Sequence, residues 1–208
     1  MNTQKFLAVS LSLLLSSYTL AANAHGKDHQ INPPIEASNV PLLEWGSPAF
    51  NAAEQLYQTA GGYGCVACHG QFAQGGGNVG GNIRNHSPQQ INTALQKQPL
   101  MQLLDKALST EERMQLASYL KTVGEYQLIE WTIESDTSYQ KVSFEKNGPK
   151  QLVIFNKTFE PMELALESIT SGATLTIQPY ATESYRWTAK PGIARLQYKQ
   201  NVLDINIK

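Results

Sequence analysis

The sequence predicts an α+β protein organised by domains, with an all-α helical module over residues 46–124 followed by a small antiparallel β-sandwich-like module over 125–208. Three observations predict it. Residue usage changes character near Gly124, from Ala, Leu, Gln and Gly punctuated by helix caps to β-branched and aromatic residues in alternation. Before that change, three serine-led starts each precede an apolar pattern of helical period. After it, short runs of period two follow one another between turn residues, the spacing of a small sandwich.

At the N-terminus, Lys5 and the apolar run Phe6 to Leu20 lead to Ala22-Asn23-Ala24, a small-x-small cleavage site, so residues 1–24 read as a secretory signal peptide. The run is short for a membrane span, and no later segment approaches the ~18 apolar residues a spanning helix needs. No cysteine stands at the cleavage point to take a lipid anchor. A soluble exported protein is expected, with no membrane span. Residues 25–45 then read as an extended leader. His25 and His29 lie there in a polar stretch running into Asn32-Pro33-Pro34, without the packed scaffold a copper site needs.

In the helical module, Ser47-Pro48 is an N-cap with proline in the first turn, and Phe50, Ala53, Leu56 and Tyr57 recur at helical spacing. Ser87-Pro88 repeats the device before Ile91, Ala94 and Leu95. Ser109-Thr110-Glu111-Glu112 is a capping box that opens a third helix through Leu116, Ala117, Leu120 and Val123, stopped at Gly124. Three short helices with glycine-rich links cannot close a core alone, and a flat cofactor can fill the space they leave.

The β-forming runs are 128–133, 139–144, 152–155, 162–166, 174–177, 184–187, 194–198 and 202–207, and Lys146-Asn147-Gly148-Pro149 reads as a hairpin turn. No cysteine or histidine follows His86, so a blue-copper site cannot be built in this part. No cluster there has the composition of a catalytic triad. An interaction or structural role is expected for it.

The chemistry-bearing motif is Cys65-Val66-Ala67-Cys68-His69. Cys-x-x-Cys-His is the attachment signature of a c-type haem: both sulfurs add to the porphyrin vinyls and the adjacent imidazole becomes the proximal iron ligand. On a first helical turn, positions three apart share a face, which lets the two thiols reach neighbouring vinyls. These are the only two cysteines, so the competing readings are a thioredoxin-like dithiol or a bare metal site. The dithiol asks for a preceding strand, whereas this motif follows Thr59-Ala60-Gly61-Gly62-Tyr63-Gly64, and it gives His69 no task. The run Gly75-Gly76-Gly77-Asn78-Val79-Gly80 formally matches G-x-G-x-x-G, but it has no strand before it and no acidic residue before Asp105. A loop passing close to a porphyrin explains those glycines better.

A helix ending in Cys-x-x-Cys-His-Gly, a glycine-rich loop, a middle helix, a methionine loop and a final Leu-Ser-x-Glu-Glu helix with Tyr-Leu near its end together resemble a class I (monohaem) cytochrome c over about residues 46–124. The resemblance implies one covalently bound haem c held by Cys65 and Cys68, with His69 as proximal ligand, Met101 as distal ligand, and a first and last helix crossing near Gly64 or Tyr57 and Tyr119. A Gly-Pro pair common in that family stands here as Gly80-Gly81. Among the competitors for the distal position, Met114 lies inside the final helix and Met162 in the β part, while His86 is the runner-up because bis-histidine haems exist.

With both axial positions taken, oxygen and peroxide cannot reach the iron, so an electron-transfer protein rather than an enzyme is expected. Residues 46–124 carry five Lys/Arg against four Asp/Glu and residues 125–208 nine against ten, so neither half is strongly charged. Nucleic acid is excluded as a partner by the absence of a basic patch, and redox partner proteins are expected instead. Haem attachment and export together place the protein in the periplasm. The leading expectation is a periplasmic one-electron carrier whose β part docks it or supports it. The alternatives are a cytochrome subunit of a periplasmic oxidoreductase and a haem-based ligand sensor.

Overall fold

Serine caps set the helix starts. The computed structural model of the protein describes residues 40–76, 79–145 and 147–208. The expected signal peptide, His25 and His29, the leader as far as residue 39, Gly77 and Asn78 of the glycine run, and Lys146 of the expected turn lie outside the described residues. Helix α1 (Pro48–Thr59) begins where Ser47 Oγ accepts the Phe50 N–H at 3.1 Å. One turn, α2 (Val66–His69), follows, then α3 (Pro88–Lys97), capped reciprocally by Ser87 and Gln90. A further single turn, α4 (Gln102–Asp105), leads to α5 (Thr110–Gly124), capped in the same way by Ser109 and Glu112.

Helices α1 and α5 share one core, built from Phe50, Ala53 and Tyr57 on the first and Leu116, Tyr119, Leu120 and Val123 on the second. The Tyr57 and Tyr119 rings meet at 5.0 Å and Phe50 and Tyr119 at 5.6 Å, spacings at which tilted aromatic pairs attract. Residues 40–45, expected as the end of a leader, pack on α5. Leu43 N–H donates to Thr122 Oγ1 at 2.8 Å and Lys121 Nζ to the Val40 carbonyl at 2.7 Å.

Eight strands follow: β1 (Gln127–Ile133), β2 (Ser138–Phe144), β3 (Gly148–Asn156), β4 (Met162–Ala165), β5 (Thr174–Ile177), β6 (Thr182–Ala189), β7 (Gly192–Tyr198) and β8 (Asn201–Ile207). They form two three-stranded sheets, ordered β1-β3-β6 and β2-β8-β7, and a β4-β5 pair. β1 runs parallel to β3, with Trp131 opposite Ile154, and β2 runs parallel to β8, with Val142 opposite Ile205. The other pairs are antiparallel. One face of the strands closes a second core around Ile129, Trp131, Ile133, Leu152, Ile154, Leu164, Leu203 and Ile205.

The other face of β3 is buried as well, because the helical part lies on it. Arg84, itself buried, donates through Nη1 to Gln151 Oε1 at 2.8 Å and through Nη2 to the carbonyls of Val123 and Tyr126. Burial lowers its guanidinium to about 10, which leaves it charged at neutral pH. Beside it, the Arg186 guanidinium lies 3.4 Å from the centre of the Trp45 ring. The described residues therefore belong to one compact unit.

The expected fold class is corrected by these observations. Among the described residues strand outweighs helix, with eight strands against five α-helices, two of which are single turns of four residues; this is not an all-α class I cytochrome c domain followed by a small antiparallel β-sandwich-like domain. Two physical reasons account for the difference. Much of the stretch between α1 and α5 is loop and single turn, and it draws part of its packing from the outer face of a sheet. In the sheets, alternation tells which face of a strand is buried but not its partner or its direction. The expected hairpin at Lys146–Pro149 fails for the second reason. β2 and β3 are not neighbours, and Gly148, at φ +115°, lets the chain cross from one sheet to the other.

On the outer face of the second sheet, Arg195 grips Asp204 in two-point contact at 2.7 and 2.8 Å while Tyr139 Oη–H donates to the same carboxylate at 2.7 Å. The Arg195 contacts first, then Tyr139, hold this carboxyl well below the usual range. A depressed carboxyl stabilises the fold above the unfolded-state value near ~3.9, and that contribution is lost as pH falls through the lower folded-state value. Urea unfolding should accordingly show a gap between wild type and Asp204→Asn that is full at pH 7 and smaller at pH 2. A gap that does not change with pH would show that the contact is electrostatically idle.

Candidate functional site

The motif is fastened to the end of α1. The chain leaves that helix through a tight turn at Ala60–Gly62, and Cys65 N–H then donates to the Tyr57 carbonyl at 2.8 Å. Gly64, at φ +70°, makes this return possible, since a Cβ there would lie 2.1 Å from the Gln58 carbonyl oxygen. Cys65 begins the turn, and His69 N–H closes it on the Cys65 carbonyl at 2.9 Å. Below the motif, the Tyr57 hydroxyl donates to the Gly70 carbonyl at 2.7 Å.

The loop after the motif folds back over it. Gly80 N–H donates to the Cys68 carbonyl at 2.8 Å, and the Gly81 carbonyl stands 2.8 Å from His69 Nδ1. A carbonyl can only accept, so this contact assigns the proton to Nδ1 and leaves the Nε2 lone pair free for a metal. Gly80 is required by proximity: a Cβ there would fall 2.5 Å from the Cys68 carbonyl oxygen and 2.6 Å from the His69 ring. Gly80→Ala should therefore push the loop off the ring. Expression of the variant with haem-maturation machinery should give less haem-bearing protein than wild type, measured as the ratio of haem absorbance to protein. An unchanged ratio would mean that the loop yields at no cost to His69.

Cys65, Cys68, His69 and Met101 line one cavity of about 550 Å³, a volume in the range of small-molecule and cofactor sites. Its remaining wall is mainly apolar, from Ile83, Ile91, Leu95, Leu104, Leu116 and Leu120. Met101 stands just before α4, in the loop where a thioether was expected. His86 is not brought there. It is half-buried and lines a separate shallow depression with Ser87, Gln90 and Lys97. Met114 packs at the edge of the helical core and Met162 is buried among the strands.

Both cysteines are free thiols. Burial first, and Cys68 to a lesser degree, push the Cys65 thiol up to about 11, whereas a thioredoxin-like pair depends on a thiol pKa lowered toward neutrality. Among the described residues, no group of three or more His, Cys, Asp or Glu is placed to hold a metal ion. The cavity thus offers two thiols, one imidazole with a free lone pair and one thioether around an apolar space, which suits a flat metal-bearing macrocycle that brings its own equatorial nitrogens.

Sequence reasoning did not single out three parts of this site. The Gly81 carbonyl is a backbone group with no sequence signal. Tyr57 was assigned to a helix crossing, and its hydroxyl also steadies the turn below His69. Arg84, on the loop behind the cavity wall, is marked only by its partner Gln151, far away in the chain.

No protein-family model matches the chain, and no curated protein matches it. No helix among the described residues is long and apolar enough to cross a membrane.

Proposed function

We propose that the chain binds one haem c covalently through Cys65 and Cys68, with His69 and Met101 as its axial ligands, and carries single electrons between redox partner proteins. The observation that carries this reading is the His69 ring, whose Nδ1 is committed to the Gly81 carbonyl while its Nε2 stays free in a cavity that also holds both thiols and Met101. Haem held there supplies a one-electron iron couple. Each thiol would add across one vinyl double bond, its sulfur forming the carbon–sulfur bond and its proton going to the other vinyl carbon.

The residues of the chain do the rest. His69 is oriented by its backbone acceptor, and the Met101 thioether, on the wall of the same cavity, would serve as the second iron ligand and so close the iron to small molecules. The leucine and isoleucine wall makes the site apolar. Val79 and Leu100, each 69% exposed, give the cavity an apolar lip where a partner protein can approach. The β part carries no ligand of this kind and is read as docking or support. The signal-peptide pattern of residues 1–24 supports a periplasmic location, where c-type attachment takes place.

Acid-acetone extraction of protein matured with haem-attachment machinery tests the reading. Haem should remain with the polypeptide, and haem that extracts freely would overturn covalent attachment.

A further inference from the structure

The loop from Gly80 to Asn85 holds two unlike things a few residues apart. The Gly81 carbonyl takes the His69 Nδ1–H at 2.8 Å. Three residues later, the buried Arg84 guanidinium reaches Gln151 on β3 at 2.8 Å, the Tyr126 carbonyl at 2.9 Å and the Val123 carbonyl. The loop between them has little slack: Asn82 Oδ1 accepts the Arg84 N–H at 2.9 Å, Ile83 N–H donates to the Ala73 carbonyl at 3.1 Å, and Asn85 N–H donates to the Leu120 carbonyl at 2.9 Å. Gln151 is fixed in turn, since its Nε2 donates to Ser184 Oγ on β6 at 3.2 Å.

We propose that Arg84 is a positioning residue that ties the β1-β3-β6 sheet to the His69 imidazole, so that the sheet sets the strength of the Nδ1–H···O bond and, through it, the electron-donating power of the proximal ligand. The inference rests on the haem reading above. A well-held acceptor at Nδ1 makes Nε2 a stronger donor and favours ferric iron; a slack one favours ferrous iron. The tie is stiff because a buried guanidinium that loses an acceptor has no water to replace it. The β part then acts on the redox centre without supplying a ligand to it.

Arg195 supplies the control, because it is held by Asp204 on the other three-stranded sheet, β2-β8-β7, away from Gln151 and its partners. The test uses the full haem-bearing chain and two readouts: the reduction potential, and the solvent exchange rate of the His69 Nδ1 proton, followed by NMR in the reduced protein. Arg84→Met and Gln151→Leu should each move the ferrous-to-ferric ratio at a fixed potential about tenfold toward ferrous, a rise of about 59 mV for a one-electron couple, and should speed the proton exchange. Gln151→Glu keeps an acceptor for Arg84 and should neither raise the potential nor speed the exchange, and Arg195→Ala should change neither readout. Should Arg84→Met fail to fold, the two Gln151 variants decide alone. Potentials and exchange rates that stay at wild-type values in Arg84→Met and Gln151→Leu, or that move as much in Arg195→Ala, overturn the inference while leaving the haem reading intact. A wild type without covalent haem overturns both.

Discussion

Replacing Cys65 and Cys68 together by alanine should abolish the proposed covalent haem retention. The two thiols lie one helical turn apart on the wall of a single cavity and are the only cysteines in the chain, so no other side chain can form the thioethers. The helical part should suffer too, because the cavity they border is apolar and about 550 Å³, and without a filling group its leucine and isoleucine wall faces water or collapses. The expected result is therefore double: no haem stain on a denaturing gel, and a lower melting temperature than haem-bearing wild type. The single variants should keep one thioether and an intermediate yield. Haem retention in the double variant would assign attachment elsewhere and leave the motif without a function.

Met101→Ala has the second largest expected effect. The thioether favours ferrous iron, and axial ligation governs a span of about 0.8 V in haem proteins, so its loss should lower the potential by roughly a tenth or more of that span. The weak long-wavelength band of sulfur-ligated ferric haem should vanish, and the ferrous protein should bind carbon monoxide. His86→Ala should do none of this, since His86 lies outside the cavity in a separate depression. A spectrum that changes with His86 and not with Met101 would mean that the loop around residues 98–102 is rearranged when the haem is bound.

The parts of this fold legible in the sequence are those with local causes. Ser47, Ser87 and Ser109 start helices because a serine oxygen satisfies an amide three residues on, and the Gln90 and Glu112 side chains reply within the same turn. Each of the eight alternating runs contains or overlaps a strand, since a half-buried strand imposes its period on its own residues. The order and direction of the strands were not legible. Nothing in 139–144 announces a parallel partner at 201–207, and the turn-like Asn147-Gly148 resembles a hairpin although it links two sheets. The fold class went wrong at this point and at the helical part, where helix propensity says nothing of a sheet covering one side.

The site divides in the same way. Cys65, Cys68 and His69 are legible because they form a contiguous motif, as the proposed covalent attachment would demand, and the structure gathers Met101 to them. Arg84 was invisible. An arginine in a glycine-rich loop reads as a solvated charge, and its side-chain partner Gln151 lies 67 residues away.

The parallel pairing of β2 with β8 has a consequence for how the chain acquires its shape. Ser138 meets Asn201 and Phe144 meets Ile207, so each contact spans 63 residues, and β8 is also the strand on which β7 pairs. Contacts that distant carry a large loop-closure entropy before any burial rewards them, and folding slows as their share rises. The sheet β2-β8-β7 should then be the late event in refolding, with β2 waiting as an unpaired edge after the α1–α5 core has closed. During that interval the polypeptide is most exposed to proteolysis and to self-association, and a holding chaperone would gain most by covering residues 138–144.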